Sequence, residues 1–284
     1  MTGTADSPRP GPRLARGALY LLVFASLVVM LFPIGWMIST SFKPGDEIFI
    51  PPPRWIPRTP TLDGYRVAFS HAVLVPLLNS LVVAAGSALL ATGAGALCAY
   101  GVSRMRFRGR GALMAVMLAT LGLPIPLLML TLYVMFSRAG ILDTYLGLIL
   151  GHTAITLPVV VWMLKDFFDV LPQEVEEAAY IDGAGLLYTF WRIVLPMAAP
   201  GLAAAAIFVF VTSWNEFVFG LTFTSSSTMR PLPAAISLLF LGEFQYRWGD
   251  AMAVAVLVTL PVMALFVFFQ RFFIQGITAG AVKS

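Results

Sequence analysis

One cysteine and two histidines are all that 284 residues hold of the side chains that most often ligate metals or activate nucleophiles. The lone Cys98 excludes an intramolecular disulfide and a thiolate-bound metal cluster. It lies in an Ala-rich apolar run and reads as a packed thiol. His71, read as a loop residue, and His152, set among apolar residues, lie too far apart for a metal signature. Both read as hydrogen-bonding or packing groups. Lysine is as scarce: Lys43, Lys165 and Lys283, none of which follows a glycine. A phosphate-binding loop needs Gly-Lys-Ser/Thr, so the chain does not bind ATP by that route. His-Glu-x-x-His and Gly-x-Ser-x-Gly are missing too. No catalytic residue, no metal ligand and no directly bound cofactor is therefore assigned, and the chain is read as not an enzyme.

Charge is scarce as well. Only 11% of residues are charged, while 59% are hydrophobic and the mean hydropathy is +0.87. A soluble domain of this length cannot hide that much apolar surface, so the class is an all-α integral membrane protein with the lipid bilayer as its solvent. The net charge of +4 then speaks of topology, not of nucleic acid.

A membrane-crossing helix needs about 20 mostly apolar residues. Windows free of charge, or interrupted within the span only by Glu216, place six spans near 17–40, 77–101, 112–136, 145–165, 201–224 and 251–272, two of them closing at Lys165 and Arg271. The first follows Arg9, Arg13 and Arg16; it is too long for a signal-peptide core, lacks a clear cleavage site, and reads as a retained anchor. Arg104, Arg106, Arg108 and Arg110 crowd the loop after the second span. Basic loops stay inside, so this loop and both termini are assigned to the cytoplasm. The expected layout is a cytoplasmic tail at 1–16, an extracytoplasmic loop at 41–76, a core at 77–272 and a cytoplasmic tail at 273–284. Ser87, Ala91, Gly95 and Ala99 recur every four residues on the second span, a stripe that lets helices approach closely. Pro124, Pro126, Pro158 and Pro261 interrupt spans three, four and six. Such prolines kink helices where neighbours satisfy the freed carbonyls.

One segment is out of character. Glu174, Glu176, Glu177 and Asp182 stand within nine positions, between two apolar spans. Pro172 suits a helix start. The glutamates suit the positive end of a helix dipole. Val175, Ala178, Ala179 and Asp182 share a face, and Gly183 can take the left-handed turn that ends a helix. A second short helix is expected from Leu186 to Leu195, stopping at Pro196. The segment at 172–196 thus reads as two short helices hinged at glycine, lying at the inner membrane face. A plain interfacial helix with solvated glutamates fits the pattern too. It does not account for the strict layout Glu177-Ala178-Ala179, three residues, Gly183, nine residues, Ile193, one residue, Leu195-Pro196.

That layout resembles the signature of permease subunits of binding-protein-dependent ABC importers. ISTSFKPGDEIF, NSLVVA, AYGVSRMRFRGRG, FSRAGILDTYLGLIL, TSWNEFVFGLTF and QRFFIQGITAGAVKS extend the likeness to carbohydrate permeases of the maltose and glycerol-3-phosphate type, from about Ser41 to the end. Six spans and this tail look like the second, shorter permease of the pair. The resemblance implies the type I importer fold. It also implies a coupling helix in which Glu177, Ala178, Ala179, Asp182 and Gly183 dock on a cytoplasmic ATPase, with Ile193, Leu195 and Pro196 completing the motif. Residues 275–283 would be a tail that reaches between the ATPase subunits. The implied partners are a homologous permease, two ATPase domains that hold ATP and Mg, and an extracytoplasmic sugar-binding protein. The implied mechanism is alternating access in the inner membrane.

Glu216 is the carboxylate inside a predicted span. An intramembrane ionisable residue is a functional candidate by default. On a helix from Gly201 it would sit about 22 Å along, in the outer half. With Trp214, Asn215 and Phe217 it could meet a polyol: rings against the apolar sugar face, polar tips on hydroxyls. The competing reading is that Asn215 and Glu216 tie helices together or line a gate. An ion-coupled secondary carrier is the rival function; it predicts inverted repeats and intramembrane charge pairs. No repeat is visible. A scaffold or receptor would not need a docking helix of this spacing.

Overall fold

The computed structural model describes residues 12–242 and 245–281. Arg9 and Lys283 lie outside the described residues. In chain order the helices are α1 (Pro12–Ser41), α2 (Asp63–Ala68), α3 (His71–Arg104), α4 (Arg110–Thr120), α5 (Ile125–Ala139) and α6 (Tyr145–Val170). Then come α7 (Glu174–Ile181), α8 (Leu186–Thr189), a π-helical turn at Phe190–Val194, α9 (Leu195–Met197) and α10 (Ala199–Trp214). α11 (Val218–Phe223), α12 (Leu232–Phe240) and α13 (Trp248–Ala281) follow. A two-residue strand pair, Leu241–Gly242 with Gln245–Tyr246, joins α12 to α13.

Among the described residues, four helices are long and apolar enough to cross a membrane, and two sharply bent pairs bring the number to six if each pair is one span. In lipid every backbone group must be paired internally, which is why the apolar windows are helical. Several expectations are corrected. The third span is two helices bent by 103°. Pro124 has no N–H to continue the ladder and disfavours helix in the residue before it. The fifth is a bend of 77° between Leu186–Met197 and Ala199–Trp214, and it stops at Trp214, ten residues before the expected end at 224. The short helix after Gly183 runs past Pro196 to Met197. His71 opens α3 instead of lying in a loop. The last helix runs on to Ala281, beyond the expected end at 272. α2 and α12 were not anticipated. α12 is apolar but only 9 residues long, half of a membrane span.

The chain forms two compact units. One comprises residues 12–68 with 246–257. Here Trp55 sits edge-on to both Phe32 and Trp36, 5.1 Å from each ring. The Lys43 ammonium lies 3.9 Å above the Trp36 ring, and the Ser41 hydroxyl meets the Tyr65 hydroxyl at 2.8 Å. Gly64 lets α2 close on Gly249 and Ala253, where a Cβ would stand 3.0 Å from the alanine methyl.

The other unit comprises the remaining described residues, built around α3, α6 and α10. The small-residue stripe does what its spacing implies. Ser87, Ala91 and Ala99 are fully buried, and a Cβ on Gly95 would come within 2.5 Å of the Val160 side chain. Lipid is as apolar as a leucine, so close packing drives such contacts more than water exclusion does. Cys98 packs against this core as expected. His152 is buried 5.2 Å from the Phe219 ring.

Candidate functional site

α6 ends at Val170 and is followed by Leu171, whose extended backbone (ψ 136°) suits a residue before Pro172. The chain restarts as α7 with Glu174, Glu176 and Glu177 in its first turn, where the dipole favours them. α7 closes on Gly183, whose φ of +86° is the left-handed conformation the sequence required of it. The Gly183 N–H donates to the Tyr180 carbonyl at 3.1 Å, and the Ala184 N–H to the Ala179 carbonyl at 2.9 Å.

This short helix has two unlike faces. The open face presents Val175, Ala178 and Asp182, which with Gly183, Tyr188 and Ile193 border a hollow of about 660 Å³. Nothing lies within 4 Å of a Cβ built on Gly183 or Gly185. Glu177 is exposed on the same helix without lining the hollow. Ala179, 8% exposed, lines the same hollow. Leu195 leans on the α3–α6–α10 core, and Pro196 is exposed. The spacing thus brings Ala178, Ala179, Asp182, Gly183 and Ile193 to one surface, while Leu195 anchors the arm beyond it.

The other face is polar and closed. Glu176 was expected as one more dipole-favoured glutamate. It is instead 5% exposed, with Arg104 Nε donating to its Oε1 at 2.6 Å and the Tyr100 hydroxyl to its Oε2 at 2.8 Å. The same guanidinium donates to the Leu171 carbonyl at 3.1 Å and to the Ser103 hydroxyl at 3.3 Å. Ser103 in turn donates to Asp169 at 2.5 Å, and Lys165 pairs with the other Asp169 oxygen. Arg104 was counted only as a topology signal, so the sequence reading missed this group. One trace of it was visible: Tyr100 and Arg104 stand four apart on one helix face, and Glu176 lies three before Ala179.

A second polar cluster gathers at the far end of α6. Asp143, with φ of 57°, accepts from the backbone N–H of Ser225 at 3.0 Å and of Ser226 at 3.1 Å, and from the Ser226 hydroxyl at 3.0 Å. Burial alone would raise its pKa, but the donors of Ser226 and Ser225 together outweigh it and hold the carboxyl below the usual range. Buried Asn79 accepts from the Tyr145 hydroxyl at 2.6 Å and donates to the carbonyls of Thr228 and Arg230 at 2.8 and 3.1 Å.

The residues at 214–217 do not form one platform. Trp214 is buried and stacked on Phe210 at 5.6 Å. The Asn215 amide donates back to the Val211 carbonyl at 2.9 Å. Glu216 lies past the end of α10 and accepts from the backbone N–H of Val218 at 2.8 Å and Phe219 at 2.7 Å. It caps α11, beside a half-buried Phe217. The helix stops here because the carboxylate competes for the amides that begin the next one.

Comparison with known proteins agrees with this architecture. The family model described as "Binding-protein-dependent transport system inner membrane component" matches residues 91–279. The sulfoquinovosyl glycerol transport system permease protein SmoH of Agrobacterium fabrum is 36% identical over 285 residues, covering 100% of both chains. The trehalose/maltose transport system permease protein MalG of Thermococcus litoralis is 34% identical, covering 95% of this chain and 98% of its own. The trehalose transport system permease protein SugB of Mycobacterium tuberculosis is 35% identical, covering 95% and 99%. Among solved structures, a chain of a bacterial ABC transporter involved in the import of the acidic polysaccharide alginate superposes with a TM-score of 0.76 at 20% identity, over 95% of this chain and 100% of that one.

Proposed function

The chain belongs to the family of binding-protein-dependent transport system inner membrane components, and from that premise we propose that α7 is the helix through which a cytoplasmic ATPase drives it. The protein is a multi-pass inner-membrane permease of an ABC importer; ATP is hydrolysed by a partner subunit. In our reading its solute is a sugar or sugar-like molecule, handed over by an extracytoplasmic sugar-binding protein. The permease names of the relatives support that class. The working complex pairs this chain with a homologous permease and two ATPase domains, which hold ATP and Mg while this chain binds no cofactor itself. Both termini face the cytoplasm, as the arginines of the α3–α4 loop support. Asn215, Glu216 and Phe217 then form a turn at the edge of the solute path. They gate it and do not cradle a sugar, and Trp214 fixes that turn to α10.

The observation that carries this reading is the open face of α7. A short helix with alanine and a carboxylate on its surface, ended by a left-handed glycine, borders an unfilled hollow on a membrane protein. Small side chains let a partner backbone come close, and exposed Glu177 and Asp182 offer charge to a basic groove. The test is co-purification of the whole assembly from mild detergent, with ATPase activity measured with and without the loaded binding protein. Recovery of a second permease and an ATPase, stimulated by the loaded protein, is the expected result. A lone homo-oligomer driven by an ion gradient would overturn it. Gly183→Asp should assemble in part yet abolish uptake, because a Cβ there has open space within this chain, while the side chain loads the left-handed turn at φ +86° and adds bulk and charge where the partner docks. Normal uptake by that variant would count against the docking role.

A further inference from the structure

α7 is held by three attachments of unequal stiffness. On its C-terminal side lies the Asp182–Gly185 turn, with two glycines and open space around both. On its N-terminal side lies the three-residue link Leu171–Gln173 from α6. The third attachment is the buried face, where Glu176 meets Arg104 and Tyr100 of α3.

We infer that the Arg104–Glu176 pair, closed by Tyr100, is a positioning latch that passes displacement of α7 to the ends of α3 and α6 and leaves the Asp182–Gly185 turn as the hinge for the arm beyond. One guanidinium bonds both Glu176 of α7 and the Leu171 carbonyl at the end of α6, so three elements meet at a single planar group. A guanidinium donates along fixed directions, which makes such a joint stiff in orientation as well as distance. The two side chains are 9% and 7% exposed, so water does not compete for the bonds. Ser103 of α3 bonds Asp169 of α6 and fastens the neighbouring turns of the two helices together, while Lys165, also of α6, holds the other Asp169 oxygen. No comparable polar contact among the described residues ties α7 to the π-helical turn or to α10. Displacement entering at the open face of α7 therefore travels first into the α3–α6 pair, the most closely packed helices of this unit. Glu176, Arg104 and Tyr100 act through position; none touches solute or nucleotide.

This inference rests on the importer reading above, and its test separates the two. The complete importer, with its binding protein, is reconstituted in vesicles, and solute moved per ATP hydrolysed is measured. Absence of ATP-driven uptake in the parent complex would sink the importer reading itself. With a working parent, Glu176→Gln should still assemble and hydrolyse ATP, while solute moved per ATP falls about five-fold or more, the ordinary range of a coupling free energy. Tyr100→Phe, which removes one hydrogen bond and no charge, should lower the ratio by about two- to three-fold. A purely structural role predicts something else: uptake and hydrolysis fall together with the amount of assembled complex, and the ratio stays at the parent value. That outcome would overturn the latch. If Glu176→Gln does not assemble, Arg104→Lys keeps the charge, loses the forked geometry and reads out the same ratio. An unchanged ratio there would overturn the latch equally.

Discussion

The two ends of α6 carry polar clusters built on opposite plans. At one end Asp143 and Asn79 bind mostly backbone groups of the 225–230 segment, so that loop is pinned by donors and acceptors along its length. At the other end Glu176 and Arg104 bind each other and hold only one face of α7, leaving the opposite face bare and the exit turn glycine-rich. The same bond chemistry thus pins a loop in one place and mounts a short helix by one face in the other. What differs is the partner: a side chain bonded to loop backbone pins that loop, whereas the Arg104–Glu176 pair joins two helices and leaves the Asp182–Gly185 turn open.

The comparison can be broken most severely at Arg104. Arg104→Ala leaves Glu176 buried without its cation, and losing one member of a buried pair costs on the order of 3–5 kcal/mol. The expected result is a fall of several degrees or more in the thermal unfolding midpoint of the detergent-solubilised complex; a midpoint equal to the parent's would mean that water already reaches Glu176. Next comes Asn79→Leu, which strands the Tyr145 hydroxyl and two carbonyls and should cost about 3 kcal/mol. Its signature should differ in kind. Less complex should assemble, but each assembled complex should move as much solute per ATP as the parent. A changed ratio would show that the Asn79 end also transmits motion.

The smallest effect is expected at Asp143. Asp143→Ala removes one charged acceptor from three donors on a partly exposed loop, for about 1–2 kcal/mol. Asn tolerates the left-handed backbone of this position, so Asp143→Asn should be milder. The sign with pH follows from the depressed carboxyl. Its contribution is full above the unfolded-state pKa and is lost as pH falls through the lower folded-state value. Stability measured from neutral into acid should therefore decline less in Asp143→Ala than in the parent. Parallel declines would remove Asp143 from the acid response.

Particular residues show where sequence reasoning stopped. Gly183 was legible because a left-handed turn after a helix nearly demands glycine, and its φ of +86° agrees. The stripe from Ser87 to Ala99 was legible because close helix approach needs small side chains at one spacing. Glu216 was misplaced on a continuous helix. Hydropathy counts its apolar neighbours but does not register a carboxylate that turns back to cap the next helix. Glu176 was overlooked because three glutamates in one helical turn look alike until something packs on one of them.

The sequence by itself determined the membrane class, the apolar windows, the short helix ended by Gly183 and the family. Each follows from local composition or from fixed spacing along one chain. Only the tertiary structure decided which glutamate is buried and that Arg104 serves α7 as well as topology. Those outcomes depend on Tyr100, Arg104 and Glu176 meeting across 76 positions of sequence. A buried charge is stable only where a partner from elsewhere in the fold reaches it.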